Sequence, residues 1–253
     1  MSDPGSAALA IRQLSWRIGE VAIVDDVDLD LAPGEFLGVI GPNGAGKTSL
    51  FNLVSGLRRP TSGQVHLRGQ DVGTVPPHTR ARLGLGRTFQ ASSVFGSLTV
   101  RENVRLAAQA HHGGSMKPWR NAAKDRSVVA AADAALDRVG LADRGSALAG
   151  TLAHGEKRKL EIALLLAGEP TVMLLDEPMA GVSAENVPEL VGVIRSLTGE
   201  GRSVLMVEHH MDVVLELADR IAVMHHGALL ACDRPDAVMA DPTVQQAYLG
   251  EAL

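Results

Sequence analysis

The chain has 253 residues, of which 45% are hydrophobic and 21% are charged, and these proportions exclude a disordered or fibrous protein. Its 24 Lys and Arg against 29 Asp and Glu give a formal net charge of −5. Because no basic run is long enough to follow a phosphate backbone, we expect no nucleic acid partner. The first residues lack a signal-peptide pattern, and no apolar run approaches the roughly 20 residues of a membrane span. With one cysteine, Cys232, there is no disulfide, and a cytoplasmic protein is expected.

The order of apolar runs predicts a β-rich N-terminal part, a helical middle part and an α/β C-terminal part. Early strands are predicted near 9–14, 22–31, 36–40 and 65–67, with a helix over 47–57. Between about 99 and 168 strand signals give way to Ala-, Leu- and Arg-rich helical segments, at 100–110, 121–139 and 156–167. Strands at 172–175 and 203–207 then flank a helix near 185–198, which is the rhythm of a parallel sheet.

A glycine-rich segment between the third strand and the first helix satisfies the P-loop pattern. Glycines in such a loop let backbone N–H groups surround an anion, and the helix N-terminus adds positive potential. Lys47 is expected to reach the terminal phosphates of a nucleotide, and the Thr48 hydroxyl to bind Mg²⁺. A turn with a surface lysine is the alternative, which both flanking elements disfavour. The predicted phosphate-binding residues are Gly41, Pro42, Asn43, Gly44, Ala45, Gly46, Lys47, Thr48 and Ser49.

Two carboxylates follow the apolar strand at 172–175, where open α/β sheets place their ligands. In a Walker B interpretation, Asp176 holds the metal and Glu177 is the general base for the attacking water. A solvated acidic turn is the alternative, which the upstream P-loop disfavours.

Three further motifs narrow the class of nucleotide hydrolase. Gln90 follows Arg87-Thr88-Phe89, the segment 152–156 reads Leu-Ala-His-Gly-Glu before a helix, and His209 follows Val207-Glu208. In this order, they resemble the Q-loop, signature motif and H-loop of ABC-type ATPases. The resemblance covers essentially the whole chain.

This resemblance implies a single α/β P-loop domain over 1–253, with a parallel-sheet core at 1–90 and 169–253, an N-terminal antiparallel β-subdomain and a helical subdomain at 91–168. It also implies a head-to-tail dimer in which the signature residues of one chain meet the nucleotide of the other. Gln90 is expected to contact Mg²⁺ or the attacking water. His209 is expected to bind the γ-phosphate and position Glu177. The signature residues implied to contact the partner's nucleotide are Ala153, Gly155 and Glu156.

Shorter features resemble the branched-chain amino acid uptake ATPases within that superfamily. His154-Gly155-Glu156-Lys157 is also similar to urea and short-chain amide importers, and the ending resembles lipopolysaccharide-export ATPases. The features shared with the first group are Leu160-Glu161-Ile162-Ala163, Ala180-Gly181, Glu208-His209 before Met211, and Tyr248-Leu249-Gly250-Glu251.

The chain departs from the family pattern at three places. Ala153 stands where a serine usually contacts the partner's γ-phosphate, and Ser183 where the loop after Walker B usually carries Asp. Ile18 aligns with the aromatic residue that stacks on adenine. Trp16, two residues earlier on the same predicted strand, is either its substitute or a core residue.

Taken together, these features predict an ATP-hydrolysing subunit of a membrane importer for branched-chain or other hydrophobic amino acids. The resemblance implies transmembrane permease subunits, a periplasmic or lipid-anchored solute-binding protein acting indirectly, and a location on the inner face of the membrane. The alternatives are a soluble ABC-type switch acting on ribosomes or DNA, and a degenerate ATP-binding regulatory subunit, which Ala153 and Ser183 keep open.

Overall fold

The computed structural model describes residues 7–88, 94–112, 126–198 and 201–249. These residues form two compact units. Unit 1 comprises the described residues of Met1–Leu85, Thr171–Glu177 and Leu197–Leu253, and unit 2 those of Gly86–Pro170 and Pro178–Ser196. The sequence-based division at 91 and 168 stays a prediction.

The strands of the described residues, named in chain order, are β1 (Leu9–Ile18), β2 (Val21–Leu31), β3 (Phe36–Ile40), β4 (Ser62–Leu67), β5 (Gln70–Asp71), β6 (Leu85–Arg87), β7 (Val172–Asp176), β8 (Ser203–Val207), β9 (Arg220–His225) and β10 (Ala228–Asp233). The helices are α1 (Lys47–Val54), α2 (Pro77–Arg82), α3 (Val100–His112), α4 (Arg126–Arg138), α5 (His154–Leu166), α6 (Val187–Thr198), α7 (Met211–Leu217), α8 (Pro235–Ala240) and α9 (Pro242–Leu249). None of these helices has the length and apolarity that a membrane span requires.

The N-terminal sheet is antiparallel, with strand order β2-β1-β4-β5. Its buried face carries Leu9, Ile11 and Leu14 of β1, which pack in the core of unit 1. The predicted antiparallel β-subdomain is thus confirmed. β1 extends four residues beyond the predicted end at 14 because its last residues pair with the start of β2.

The second sheet has the order β10-β9-β3-β8-β7-β6, and β9, β3, β8 and β7 are parallel neighbours. Every residue of β3, β7 and β8 is buried, which explains why these strands read as continuous apolar runs rather than alternating ones. The parallel-sheet core is therefore confirmed. Because parallel strands end at one edge, the segments after β3, β7 and β8 share that edge.

Helix α1 ends at Val54, three residues before the predicted end. The buried Arg80 donates to the carbonyls of Leu53 and Val54 at 2.9 and 2.6 Å, which satisfies the last turn of the helix. Gly56 then takes a φ of 80°, which a helix cannot continue through. This cap fixes the far end of the helix that begins at the P-loop.

Unit 2 is built around α3, α4 and α5, as the helical pattern predicted. The predicted helix over 121–139 is α4 within the described residues, and its first five residues lie outside them. The buried Asn103 of α3 donates to the carbonyls of Phe95 and Thr99. The apolar faces that meet inside this unit carry Val100, Val104, Ala108, Val128, Ala132, Ala135, Leu160 and Ala163.

Candidate active site

The P-loop links β3 to α1, and two of its glycines are required by close backbone approaches. A Cβ atom on Gly41 would lie 2.1 Å from the carbonyl oxygen of Met224, and one on Gly46 would lie 2.6 Å from that of Ile23. Gly46 also has a φ of 96° at the N-cap of α1. A side chain at either position would push the loop away from its neighbours, so glycine keeps the helix N-terminus open to an anion.

A cavity of about 340 Å³ lies against this loop, and all of its lining belongs to unit 1. That volume is within the range of small-molecule sites. The cavity brings the P-loop together with Glu177 and His209, as the sequence predicted for a nucleotide site. The lining residues are Ile23, Asn43, Gly44, Ala45, Gly46, Lys47, Thr48, Ser49, Glu177 and His209.

Lys47 is the buried cation of the cavity. Its ammonium group donates to the carbonyls of Gly41 and Pro42 at 2.6 and 2.8 Å. Burial lowers the pKa of Lys47, and the nearby charges of Glu177 and Asp176 partly oppose that shift. Phosphate oxygens in the cavity would favour the charged lysine further, because they are anionic acceptors.

Glu177 and His209 meet at the edge of the parallel sheet. The Nε2–H of His209 donates to Oε1 of Glu177 at 2.8 Å, although the two residues are 32 positions apart in the chain. Glu177 also donates its backbone N–H to the carbonyl of Val207 at 2.9 Å. Its φ of 48° lies in the left-handed region, a strain that persists only where surrounding contacts fix the residue. The contacts hold this carboxylate at the cavity.

The side chains at this edge of the sheet carry oxygen atoms of the kind that bind Mg²⁺. Asp176, the last residue of β7, is 4% exposed, and Thr48 belongs to the cavity lining. Carboxylate and hydroxyl oxygens beside a triphosphate are the ligands that this hard cation prefers. Gln90, the third predicted ligand, lies outside the described residues.

The predicted base-stacking residues do not line the cavity. Ile18 is 58% exposed at the end of β1, and Trp16 packs on the core of unit 1, with the guanidinium of Arg58 5.8 Å from its ring centre. A register shift follows Trp16, which pairs with Val24 while Arg17 pairs with Ala22. The extra residue of this bulge lies in β2, between the partners of Trp16 and Arg17.

The residue left over by that bulge is Ile23, which belongs to the cavity lining. Sequence reasoning missed Ile23, because a bulge in β2 leaves no mark in the order of apolar residues.

The signature segment begins α5 in unit 2. The N–H of Ala153 donates to the carboxylate of Glu156 at 2.9 Å, and Glu156 pairs with Arg144 at 3.0 Å. Gly155 lies beside Asn186, because a Cβ atom on it would be 3.5 Å from the Cβ of Asn186. Since alanine has no hydroxyl, the reciprocal bond of a capping box cannot form at this helix end.

The loop after Walker B lies next to this helix start within unit 2. The carbonyl of Ala180 accepts a bond from Arg158 at 3.2 Å and lies 3.3 Å from Nε2 of His154. Ser183 accepts a bond from the side chain of Asn186 at 2.7 Å. The serine therefore serves a local turn at the position where the family pattern has a charge.

Comparison with known protein families identifies the family to which this chain belongs. The family described as ABC transporter matches residues 24–180, which is more than half of the chain. The chain belongs to this ABC transporter ATP-binding family. A second family, described as branched-chain amino acid ATP-binding cassette transporter, matches residues 228–253 of this ABC cassette. The predicted resemblance and the predicted class of enzyme, an ATPase, are confirmed.

Curated relatives match the ABC cassette over its length. The high-affinity branched-chain amino acid transport ATP-binding protein LivG of Escherichia coli (strain K12) is 37% identical and covers all of both chains. The protein of the same description from Pseudomonas aeruginosa, BraF, is 36% identical over 96% of this chain and 98% of its own.

Solved structures agree with the fold. A nucleotide-free ATP-binding cassette from an ABC transporter matches with a TM-score of 0.86 and 28% identity over 97% of this chain and 100% of that chain. The ADP conformation of the cassette MJ1267 matches with the same TM-score and identity, over 97% and 99%. ABC cassettes of this fold therefore bind nucleotide.

Proposed function

We propose that this cassette hydrolyses ATP to energise the import of branched-chain or other hydrophobic amino acids. The observation that carries the proposal is the Glu177–His209 contact at the mouth of the P-loop cavity. In this contact, the carboxylate of Glu177 can accept a proton from water, and the ring of His209 can donate a hydrogen bond to a phosphate oxygen. The relatives named for branched-chain amino acid transport supply the class of solute.

In the proposed reaction the P-loop holds the triphosphate. Backbone N–H groups at the start of α1 and the Lys47 ammonium bind its oxygens. Thr48, Asp176 and Gln90 would hold Mg²⁺, which supplies charge stabilisation of the transferred phosphoryl group. Ile23 contacts the base, and Trp16 and Ile18 remain candidates for an outer contact with it.

Glu177 acts as the general base in this scheme. Its carboxylate orients a water molecule for in-line attack on the γ-phosphorus and accepts a proton from it, while the bond from that phosphorus to the β–γ bridging oxygen breaks and ADP leaves. His209 donates from Nε2 to Glu177, and the same ring nitrogen can donate to a γ-phosphate oxygen of a bound triphosphate. Both groups are already at the cavity, so little reorganisation precedes the reaction.

The proposed assembly is a dimer of cassettes on permease subunits at the inner face of the membrane. The start of α5, with Ala153, Gly155 and Glu156, would face the γ-phosphate bound by the other cassette. That contact exists with ATP and disappears with ADP, so ATP favours the closed dimer. The permease would receive this movement, and a solute-binding protein would deliver the amino acid to it.

The relatives of this chain favour the importer function over the alternative functions. Identity of 36–37% over nearly the whole chain links this cassette to amino acid importers, whereas the resemblance to urea, amide and lipopolysaccharide systems rests on single short segments. The family match at 228–253 covers the chain's own ending. A soluble switch or a regulatory subunit has no comparable support.

Reconstitution tests the proposed function directly. The cassette is co-purified with its permease subunits, placed in liposomes and supplied with the associated solute-binding protein. We expect leucine, isoleucine or valine to stimulate ATP hydrolysis several-fold, and urea and acetamide to leave it unchanged. Stimulation by urea alone, or hydrolysis that no solute changes, would contradict the assignment.

Restoring one oxygen in the signature segment is expected to strengthen ATP-driven dimerisation. In Ala153→Ser, the hydroxyl can donate to the partner's γ-phosphate, and a hydrogen bond to a charged group contributes about 1.5–3 kcal/mol. The same oxygen can accept the N–H of Glu156 and complete the capping box, which raises stability by about 1 kcal/mol with any nucleotide.

Sedimentation with Mg²⁺ and ATP, in a Glu177→Gln background that preserves the bound ATP, separates these two effects. The dimer fraction should rise with ATP and stay constant with ADP, while the melting temperature rises in both. Ala240→Ser, on an exposed alanine at the end of α8, is the control. Equal dimer fractions for Ala153→Ser and this control at every ATP concentration would mean that the helix end does not meet a γ-phosphate.

A further inference from the structure

A buried carboxylate lies directly behind His209. Glu208 follows the last residue of β8 and is only 2% exposed. Its Oε2 atom accepts the backbone N–H of His209 at 2.6 Å and that of His210 at 3.2 Å. The same oxygen lies 3.2 Å from Nδ1 of the His210 ring, which is 59% exposed. Two backbone N–H donors and one ring nitrogen of the segment after β8 thus converge on one carboxylate oxygen.

We propose that Glu208 is a positioning residue that holds His209 against Glu177. The proposal rests on the proposed function, because it assigns Glu208 a role in the same hydrolysis. Glu208 is absent from the lining of the nucleotide cavity, so it acts through His209 rather than on the substrate.

The bonds around the site form a closed path. Glu177 donates its N–H to the carbonyl of Val207, the residue before Glu208. The Glu208 carboxylate fixes the N–H of His209, and the His209 ring returns to the Glu177 carboxylate. The backbone N–H groups of Glu177 and His209 each have a bonded partner in this path, so the backbone that carries the imidazole is fixed relative to Glu177. A shift of about 1 Å in such a pair is enough to cost about a hundredfold in rate.

The role requires an acceptor with a negative charge. A carboxylate oxygen accepts several N–H bonds at once, and bonds to an ionised acceptor are about twice as strong as neutral ones. A glutamine would put an amide NH₂ group near the same N–H donors or leave a single neutral oxygen to serve them. Burying a charge costs free energy unless the charge is hydrogen-bonded. The N–H groups that bind the Glu208 carboxylate offset this cost, and the same bonds fix the backbone of His209.

Replacing Glu208 with Gln is expected to lower kcat at least about tenfold while the dissociation constant of ATP changes less than about twofold. Nucleotide binding should persist because the P-loop contacts are unaffected. Glu208→Asp keeps the charge on a shorter side chain, so it should recover part of the lost rate. A second readout is the ring ¹⁵N signals of His209 in the nucleotide-free protein, assigned by their loss in His209→Asn. These signals should shift in Glu208→Gln.

Glu35 provides a matched control for damage to the fold. It is another largely buried glutamate of unit 1, located before the first residue of β3, at the opposite end of the strand from the P-loop. Its carboxylate accepts the N–H of Ala32 at 2.6 Å and pairs with Arg220 at 3.1 Å. Glu35→Gln therefore makes the same chemical change in a similar setting. It should lower the melting temperature and leave kcat and the His209 signals unchanged.

The experiment measures kcat, ATP affinity, melting temperature and the His209 signals for the wild type and these variants. A selective loss of kcat in Glu208→Gln, partial rescue by Glu208→Asp and a shift of the His209 signals support the proposal. The proposal would be overturned if Glu208→Gln had the same kcat as the wild type, or if the His209 signals did not shift. The proposed function would still stand in that case, because the wild type hydrolyses ATP. A wild type that binds ATP without hydrolysing it would instead contradict the proposed function.

Discussion

Glu177→Gln is expected to keep ATP binding and to lose most turnover, by about 10²–10⁴-fold, the contribution of a well-placed general base. The amide preserves the shape of the side chain and still meets His209 at the cavity edge. It cannot accept a proton from water, so bound ATP persists. Steady-state phosphate release and equilibrium ATP binding are measured on the same preparation.

Glu169→Gln serves as the control for this substitution, because that side chain is 59% exposed and lies in the other unit. It should hydrolyse ATP at the wild-type rate. If Glu177→Gln hydrolysed ATP at a rate within a few-fold of the wild type, the carboxylate would not be the base, and His209 would have to be tested in that role.

Lys47→Ala is expected to weaken ATP binding itself by about ten- to a hundredfold, because bonds between a charged donor and its acceptor contribute about 1.5–3 kcal/mol. The ammonium is already buried among carbonyl oxygens of the P-loop, and its pKa is lowered by that burial. The oxygens of a bound triphosphate are negatively charged, whereas the carbonyl oxygens are neutral. The charged lysine therefore binds the triphosphate more strongly than it binds the loop. Titration of the cavity with a fluorescent ATP analogue measures the loss.

A charge-matched control removes a cation outside the cavity. Arg59 is exposed in unit 1, and Arg59→Ala should leave the affinity for ATP unchanged. An unchanged affinity in Lys47→Ala, measured with the same analogue, would show that the triphosphate does not sit in this loop. A loss of affinity equal in both variants would point to long-range attraction of the anion rather than to a contact.

The contiguous motifs could be located from the sequence alone. The P-loop needs glycines at fixed positions between a strand and a helix, and these preferences are properties of neighbouring residues. The same is true of Asp176 and Glu177, which follow a run of buried apolar residues. The sequence did not predict β9 and β10, although β9 pairs with β3 and places the carbonyl of Met224 against Gly41.

The sequence by itself determined the position of the P-loop motif, the acidic strand end and the family, because each depends on residues adjacent in the chain. Only the tertiary structure decided that Glu177 and His209 touch, since that contact depends on the parallel register in which Asp176 pairs with Val207. It also decided that Ile23 belongs to the cavity lining and that Glu208 lies behind His209. Strand pairing and bulges set these positions, and they arise from packing between segments far apart in the sequence.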